Sequence, residues 1–174
     1  RSEAEIRDIA VSRLVNGRWT EGKPIHRDNW HVTYCPVNGP AVAARGRDVA
    51  VAWFTAANDA PRVLFSFSTD AGASFTPPVR IDTGDPVGRV DVQLLDQGDA
   101  LVSWLERTRP SAEVRVRRVR RNGGVGPFAT VATSSAERPS GFPQMAISRN
   151  TAVFAWTEPG TQPRVRVARA PINR

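Results

Sequence analysis

Short runs of alternating apolar and polar residues recur along the chain. Three of them, residues 41–53, 91–104 and 144–156, contain an apolar segment, a tight polar turn and a second apolar segment. Each run ends at a tryptophan, and these tryptophans lie 51 and 52 residues apart: Trp53, Trp104 and Trp156. Alternation with a period of two, broken by polar turns, is typical of paired β-strands. The sequence therefore predicts an all-β protein that contains a structural repeat.

A repeat of roughly 50 residues favours a β-propeller, in which each repeat is a four-stranded antiparallel blade that neighbouring blades must cover. A further strand follows each tryptophan strand, at residues 62–68, 113–120 and 163–170. We expect one partial propeller domain over residues 1–174, about half of a ring that has about six blades when complete. Its predicted units are a half blade at 1–28, a blade at 39–81, a blade at 88–132, and a blade without its outer strand at 141–174.

The chain is strongly basic, with a net charge of +7 and a single lysine, Lys23, among its 24 basic residues. The densest basic segments, residues 114–121 and 164–169, mostly alternate valine with arginine. This pattern predicts strands with one buried and one solvated face. Because no aromatic residues are interleaved with these arginines, the pattern disfavours nucleic acid as a partner. No apolar run approaches the roughly 18 residues of a membrane span.

One turn has a well-defined motif, Ser68-Thr-Asp-Ala-Gly-Ala-Ser-Phe75. We expect Asp70 to accept hydrogen bonds from turn amides, Gly72 to adopt a positive φ, and Phe75 to anchor the hairpin. Incomplete copies occur at residues 16–19 and 122–128, where glycine and an aromatic residue remain. Ser68, Asp70, Gly72 and Phe75 are therefore predicted to be structural residues.

Together with the repeat spacing, this motif resembles the Asp boxes of sialidase-like (BNR-repeat) β-propellers. The segment from Trp30-His31 to Cys35-Pro-Val-Asn-Gly-Pro40 is similar to bacterial sialidase-like proteins of unassigned activity. The resemblance implies an exported protein whose remaining half carries further cysteines. It would also give Cys35 a disulfide or metal-sharing partner there.

The segment from His26 to Pro40 is the richest in candidate chemistry, and it precedes a predicted channel strand. Loops at that position carry function more often than their length suggests. We expect ligand contacts from Trp30, His31, Tyr34 and Asn38, and a metal site at His31 and Cys35. The alternative is that Cys35 is a buried thiol and His31 a packing residue.

Two further sets of residues follow from the repeat. Glu106 and Glu158 each stand two residues after a tryptophan, so they should occupy equivalent places on adjacent blades. A pair of carboxylates can act as acid and base in glycoside hydrolysis; the alternative is a solvated charged rim. Arg89 and Asp91 should lie on one side of their strand, with Arg89 as an anion contact and Asp91 as its ion-pair partner.

The sequence favours binding over catalysis. Sialidases use three arginines and a tyrosine nucleophile, but this chain has no Arg-Ile-Pro segment, and Tyr34 does not match the setting of that tyrosine. We therefore expect a module that binds a carbohydrate, metal or protein at the channel mouth, with a glycan or small anion as ligand. The alternative is part of an exo-sialidase or other glycoside hydrolase. No cofactor is required by the sequence, and a second copy or the rest of the ring would complete the propeller.

Overall fold

The computed structural model describes residues 4–172, so the ends of the predicted units at residues 1–3 and 173–174 lie outside the described residues. Fifteen strands fill most of that range, with two single-turn 3-10 segments at Ala57–Asp59 and Arg138–Ser140. The strands are β1 Ala10–Val11, β2 Leu14–Val15, β3 Arg18–Trp19, β4 Lys23–Pro24, β5 Ala41–Arg45, β6 Asp48–Thr55, β7 Arg62–Ser68, β8 Val79–Arg80, β9 Pro86–Leu94, β10 Ala100–Arg107, β11 Ala112–Val119, β12 Val125–Ser134, β13 Gln144–Ser148, β14 Thr151–Glu158 and β15 Arg164–Pro171.

The first four strands form one interrupted antiparallel hairpin. β1 pairs with β4, and β2 pairs with β3 on either side of a turn at Asn16 and Gly17, which both have positive φ. The pairing continues outward to a bridge between Ile6 and His31. The residues predicted as a half blade therefore pair with one another, and the hairpin brings residues 5–7 beside residues 30–32.

The rest of the described chain folds into three antiparallel sheets in sequence order. Their strand orders are β5-β6-β7-β8, β9-β10-β11-β12 and β13-β14-β15. The repeat is visible in the register, because Trp53, Trp104 and Trp156 each lie on the second strand of their sheet, opposite a residue of the third strand. The all-β prediction is confirmed. Among residues 4–172 no helix is long and apolar enough to cross a bilayer.

The largest hydrophobic core lies between the first and second sheets. Val90, Val92 and Leu94 alternate along β9, and they pack in one cluster with Trp104 of β10. The first sheet supplies the opposite side of this core, with Ala50, Ala52, Phe65 and Phe67. Successive side chains of β9 point to opposite faces of the strand, so the residues between these three apolar ones face the third sheet. There the Gln93 side-chain amide donates to the Met145 carbonyl over 3.0 Å.

The repeated tryptophans differ in burial, although each of them packs against a cluster of buried residues. The side chains of Trp53 and Trp104 are 1% and 0% exposed, whereas Trp156 is only partly buried. On the third sheet Val165 is 74% exposed, although Val114, at the equivalent position of the second sheet, is fully buried. Among the described residues no further sheet packs on the face of the third sheet that carries Val165.

The turn at residues 68–75 is closed by the carboxylate of Asp70. This group accepts hydrogen bonds from Ser68 Oγ (2.7 Å), from the amides of Ala73 and Ser74 (2.9 Å each) and from Ser74 Oγ (2.6 Å). The hydrogen bonds, with that from the Ser74 hydroxyl first, hold the pKa of Asp70 well below its usual range. Gly72 has a φ of +79°, which favours glycine there.

We expect Trp104→Ala to lower the free energy of unfolding by about 3–5 kcal/mol, because it removes a fully buried indole from the core between two sheets. Trp156→Ala should cost clearly less, since part of that side chain already contacts solvent. Urea denaturation of both variants measures the difference. Equal losses would contradict the assignment of Trp104 to the main core.

The lowered pKa of Asp70 predicts a pH dependence of stability. A carboxyl of this kind stabilises the fold above its unfolded pKa of about 3.9, and the contribution is lost as the pH falls through the folded value. The thermal midpoint of the wild type should therefore fall more steeply between about pH 5 and pH 2 than that of Asp70→Asn. Asp96→Asn, at another exposed turn, is the control. Parallel curves for the wild type and Asp70→Asn would rule out this role.

Candidate functional site

The loops that precede the first strand and follow the second strand of each sheet lie at one end of the sheets. Thr55 pairs with Arg62 and Glu106 pairs with Glu113 at this end, whereas Ser68, just before the Asp70 turn, pairs with Val49 at the other. We call the first end the loop end; it comprises residues 26–40, 56–61, 81–85, 108–111, 135–143 and 159–163. Asp70 is therefore remote from the predicted ligand-binding residues.

Asn38 joins the segment before β5 to the start of β9. Its side-chain amide donates to the Val87 carbonyl over 2.9 Å, and its Oδ1 accepts from the Arg89 amide over 2.9 Å. Gly88 lies between these two contacts with a φ of +94°, and a Cβ there would stand 2.7 Å from Asn38 Oδ1. Glycine is needed at position 88 because both the φ and the close approach exclude a side chain.

Arg89 then joins β9 to the loop before β13. Its guanidinium donates to Ser140 Oγ and to the Gly141 (2.8 Å), Glu137 (3.0 Å) and Ala136 (3.2 Å) carbonyls. Burial lowers the pKa of this arginine, and the group is almost fully enclosed. Arg89 therefore binds backbone and hydroxyl oxygens instead of forming the predicted ion pair, because the loop before β13 wraps around it.

Asp91 lies on the same side of β9 as Arg89 but has its own partners. Its carboxylate accepts from the amides of Val92 (2.7 Å) and Met145 (2.6 Å), so it ties β9 to β13. Burial raises the pKa of Asp91, and these two hydrogen bonds oppose the shift. Among the residues predicted from sequence, Asn38, Arg89 and Asp91 thus form a connected set between the sheets.

Trp30 is a packing residue at the base of the predicted binding loop. It is buried, meets Phe54 edge-on with 5.6 Å between ring centroids, and lies under the Arg7 guanidinium at 5.5 Å. The guanidinium of Arg7 also donates to the Asn38 carbonyl. Sequence reasoning missed Arg7, because only the pairing of residues 5–7 with residues 30–32 brings it here.

The tip of the same loop is open. Tyr34 and Cys35 are exposed, and together with Arg7, Thr33 and Pro36 they line a cavity of about 430 Å³. His31 is exposed as well, and its Nε2 lies 3.7 Å from a carboxylate oxygen of Glu5. Cys35 is therefore not the buried thiol of the alternative prediction.

The predicted metal site at His31 and Cys35 gains no further ligand from the structure. Within residues 4–172 no three His, Cys, Asp or Glu side chains cluster closely enough to hold a metal ion. Cys35 Sγ has one long contact, 4.0 Å to the Pro36 carbonyl. The metal site stays a prediction.

The two predicted catalytic glutamates have different surroundings. Glu106 is 3% exposed and accepts from Trp104 Nε1 (2.5 Å), the Asp85 amide (2.9 Å) and Thr83 Oγ1 (3.1 Å). Glu158 is exposed and lies 3.5 Å from Arg166 Nε. Their equivalent positions in the repeat do not produce equivalent chemistry, because only Glu106 is covered by a preceding loop. The buried glutamate fastens the Trp104 indole to that loop.

Trp53 is held in a similar way by a residue that sequence reasoning missed. Its Nε1 donates to Asp28 Oδ2 over 2.7 Å, and the Asp28 side chain is almost fully buried. Burial raises the pKa of Asp28, although the hydrogen bond from Trp53 opposes the change. Asp28 lies 25 residues before Trp53, so no repeat spacing relates them.

The fold is similar to those of several solved glycoside hydrolases. A GH43_12 retrieved from a capybara gut metagenome aligns with a TM-score of 0.55 and 11% identity, over 77% of this chain and 28% of that one. A xylan beta-1,4-xylosidase from Bacillus halodurans C-125 aligns with a TM-score of 0.54 and 10% identity, over 88% and 33%. A thermostable family-43 glycoside hydrolase gives 0.53 and 12%, over 97% and 63%. No family model and no curated protein matches the sequence.

These likenesses confirm the prediction of a partial β-propeller. The chain spans about a third or less of the first two of these structures. The predicted sialidase-like membership is wrong, because the similar structures are family-43 glycoside hydrolases rather than sialidase repeat proteins. The physical reason is that local hydrogen bonds close the Asp70 turn. The motif therefore identifies this type of turn and not the protein family.

The buried setting of Glu106 leads to a test of its role. Glu106→Ala should lower the free energy of unfolding by about 1–3 kcal/mol, because the Trp104 indole and the loop lose their acceptor. Glu158→Ala, an exposed change at the equivalent position, should stay within about 0.5 kcal/mol of the wild type. Denaturation curves compare the two. If the unfolding midpoint of Glu106→Ala equals that of the wild type, the Glu106 carboxylate does not have this structural role.

Proposed function

We propose that this chain forms part of a propeller glycoside hydrolase and that it contacts a glycan at the loop end. The observation that carries the proposal is the likeness of the fold to family-43 glycoside hydrolases, one of them a xylan beta-1,4-xylosidase. Ligands of repeat folds commonly lie where the loops of neighbouring repeats meet. We infer that the remaining catalytic groups come from polypeptide beyond this chain.

The loop end supplies a surface suited to sugar rings. The exposed Tyr34 lines the 430 Å³ cavity together with Thr33, and the partly exposed Phe142 lies in the loop that Arg89 holds, with the Arg89 guanidinium carbon 5.8 Å from its ring centroid. Aromatic faces beside hydrogen-bonding groups match the mixed apolar and polar surface of a sugar. The hydrogen bonds of Asn38 and Arg89 fix the loops behind these rings, which lowers the entropic cost of binding.

Glu158 is the carboxylate that this chain offers toward catalysis, because it is exposed at the loop end. Asp91 lies on the innermost strand of its sheet, where both of its carboxylate oxygens accept from backbone amides. Glu106 is excluded from contact with substrate by its burial. Because retaining and inverting hydrolysis both need two carboxylates across one bond, a complete site needs further residues.

A glycan-binding module without catalysis is the second candidate. The observation in its favour is the sequestration of Glu106, which leaves Glu158 without the equivalent carboxylate as a partner. Assays for hydrolysis of xylo-oligosaccharides and arabinoxylan by the intact protein distinguish the hydrolase from the non-catalytic module. Turnover that Glu158→Gln abolishes supports the hydrolase, whereas binding without turnover supports the module.

The glycan contact itself is testable on this chain. Tyr34→Ala should weaken binding of xylo-oligosaccharides by about 2- to 10-fold, because it removes one aromatic contact. Trp19→Ala is the matched control, since Trp19 is an equally exposed aromatic residue in the N-terminal hairpin. Titration calorimetry measures both affinities. No binding by the wild type, or an equal loss in both variants, would contradict a glycan site at Tyr34.

A further inference from the structure

Arg7 borders the cavity at the tip of the loop before β5, and part of its guanidinium is unpaired. The guanidinium carbon lies 5.5 Å from the centroid of the Trp30 ring, and Nη2 donates to the Asn38 carbonyl. The other terminal nitrogen, Nη1, is buried and makes no hydrogen bond. Buried polar groups of folded proteins are usually paired, so this nitrogen is an exception that needs a physical reason.

The charge of Arg7 has no carboxylate partner within residues 4–172. The acidic residues that flank it in the chain have other partners: Glu5 lies 3.7 Å from His31 Nε2, and Asp8 accepts from the Asn29 amide over 2.9 Å. Burial lowers the pKa of the Arg7 guanidinium, and the nearby Cys35 opposes this shift. Because arginine keeps its charge in proteins, its partial burial without an anion costs free energy that a bound anion would offset.

The cavity suits one sugar ring that carries a single acid group. It has a volume of about 430 Å³ and is lined by Arg7, Thr33, Tyr34, Cys35 and Pro36. Among these lining residues Arg7 alone is a cation, and one guanidinium can pair with one carboxylate. A phosphate dianion is usually held by several donors, which the cavity does not offer. The exposed Tyr34 adds an aromatic surface that can pack against the ring of the sugar.

We propose that the sugar bound at Tyr34 is a uronic acid, whose carboxylate pairs with the Arg7 guanidinium. The inference rests on the proposed function, because it takes the glycan contact at Tyr34 as given and names the acidic class of glycan that this contact selects. A neutral sugar would fill the same cavity and leave the charge of Arg7 unpaired. The acid is preferred, since a charge-assisted hydrogen bond in a partly desolvated site is stronger than a neutral one.

The test compares three ligands of similar size on the wild-type protein by titration calorimetry. They are xylotriose with a glucuronic acid branch, the methyl ester of that branched sugar, and xylotetraose. We expect the acid to bind about 5- to 20-fold more tightly than its ester or xylotetraose. This preference should shrink as the salt concentration rises, because dissolved ions screen the pair.

Two variants assign the preference to Arg7. Arg7→Gln keeps a hydrogen-bond donor near the Asn38 carbonyl and removes the charge, so the acid and its ester should bind equally. Arg27→Gln removes a charge from an exposed position of the same loop and should keep the full preference. The comparison of acid with ester on the wild type needs no substitution, so it decides the question even if Arg7→Gln is unstable.

The outcomes separate this inference from the proposed function. Equal binding of the acid and its ester by the wild type would overturn the inference and leave the glycan site in place. A preference that survives Arg7→Gln would overturn it as well. Competition by acetate as strong as that by free glucuronate would show a site for any small carboxylate, and would also overturn it. No binding of any of the three sugars would overturn the proposed function and the inference with it.

Discussion

The packing of the first sheet against the innermost strand of the second is the contact on which the rest of the structure depends. A blade has two apolar faces and becomes stable only when neighbours cover them. Val90, Val92 and Leu94 of β9 cover the apolar face of the first sheet. They pack there in one cluster with Phe65 and Phe67. The same strand then faces the third sheet, so the position of each sheet follows from the placement of β9.

Buried and partly buried polar groups fix the loops to this apolar framework. Asn38, Arg89 and Asp91 satisfy backbone groups of neighbouring sheets, and Glu106 fastens the Trp104 indole. A buried polar group is tolerated only when its hydrogen bonds are made, and these groups would be costly to disrupt. Because these groups are engaged, the proposed ligand contacts fall on the exposed tips of the loops, of which Tyr34 is the clearest example.

The loop end is the surface that we propose for a glycan. It combines the exposed Tyr34 with loops that the hydrogen bonds of Asn38 and Arg89 hold in place. The likeness to propeller glycoside hydrolases concerns the fold, so it gives the setting for this surface without assigning its ligand.

The sequence by itself determined the all-β fold and the repeat, because alternation and the spacing of Trp53, Trp104 and Trp156 are local and periodic. It did not determine the surroundings of the candidate site. Glu106 and Glu158 occupy equivalent repeat positions, yet only one is buried, because burial depends on the loop that lies across it. Arg7 lies at the candidate site because residues 5–7 pair with residues 30–32, and the spacing of the repeat does not predict this pairing. Tertiary structure decided these roles, since contacts between sheets join residues far apart in the chain.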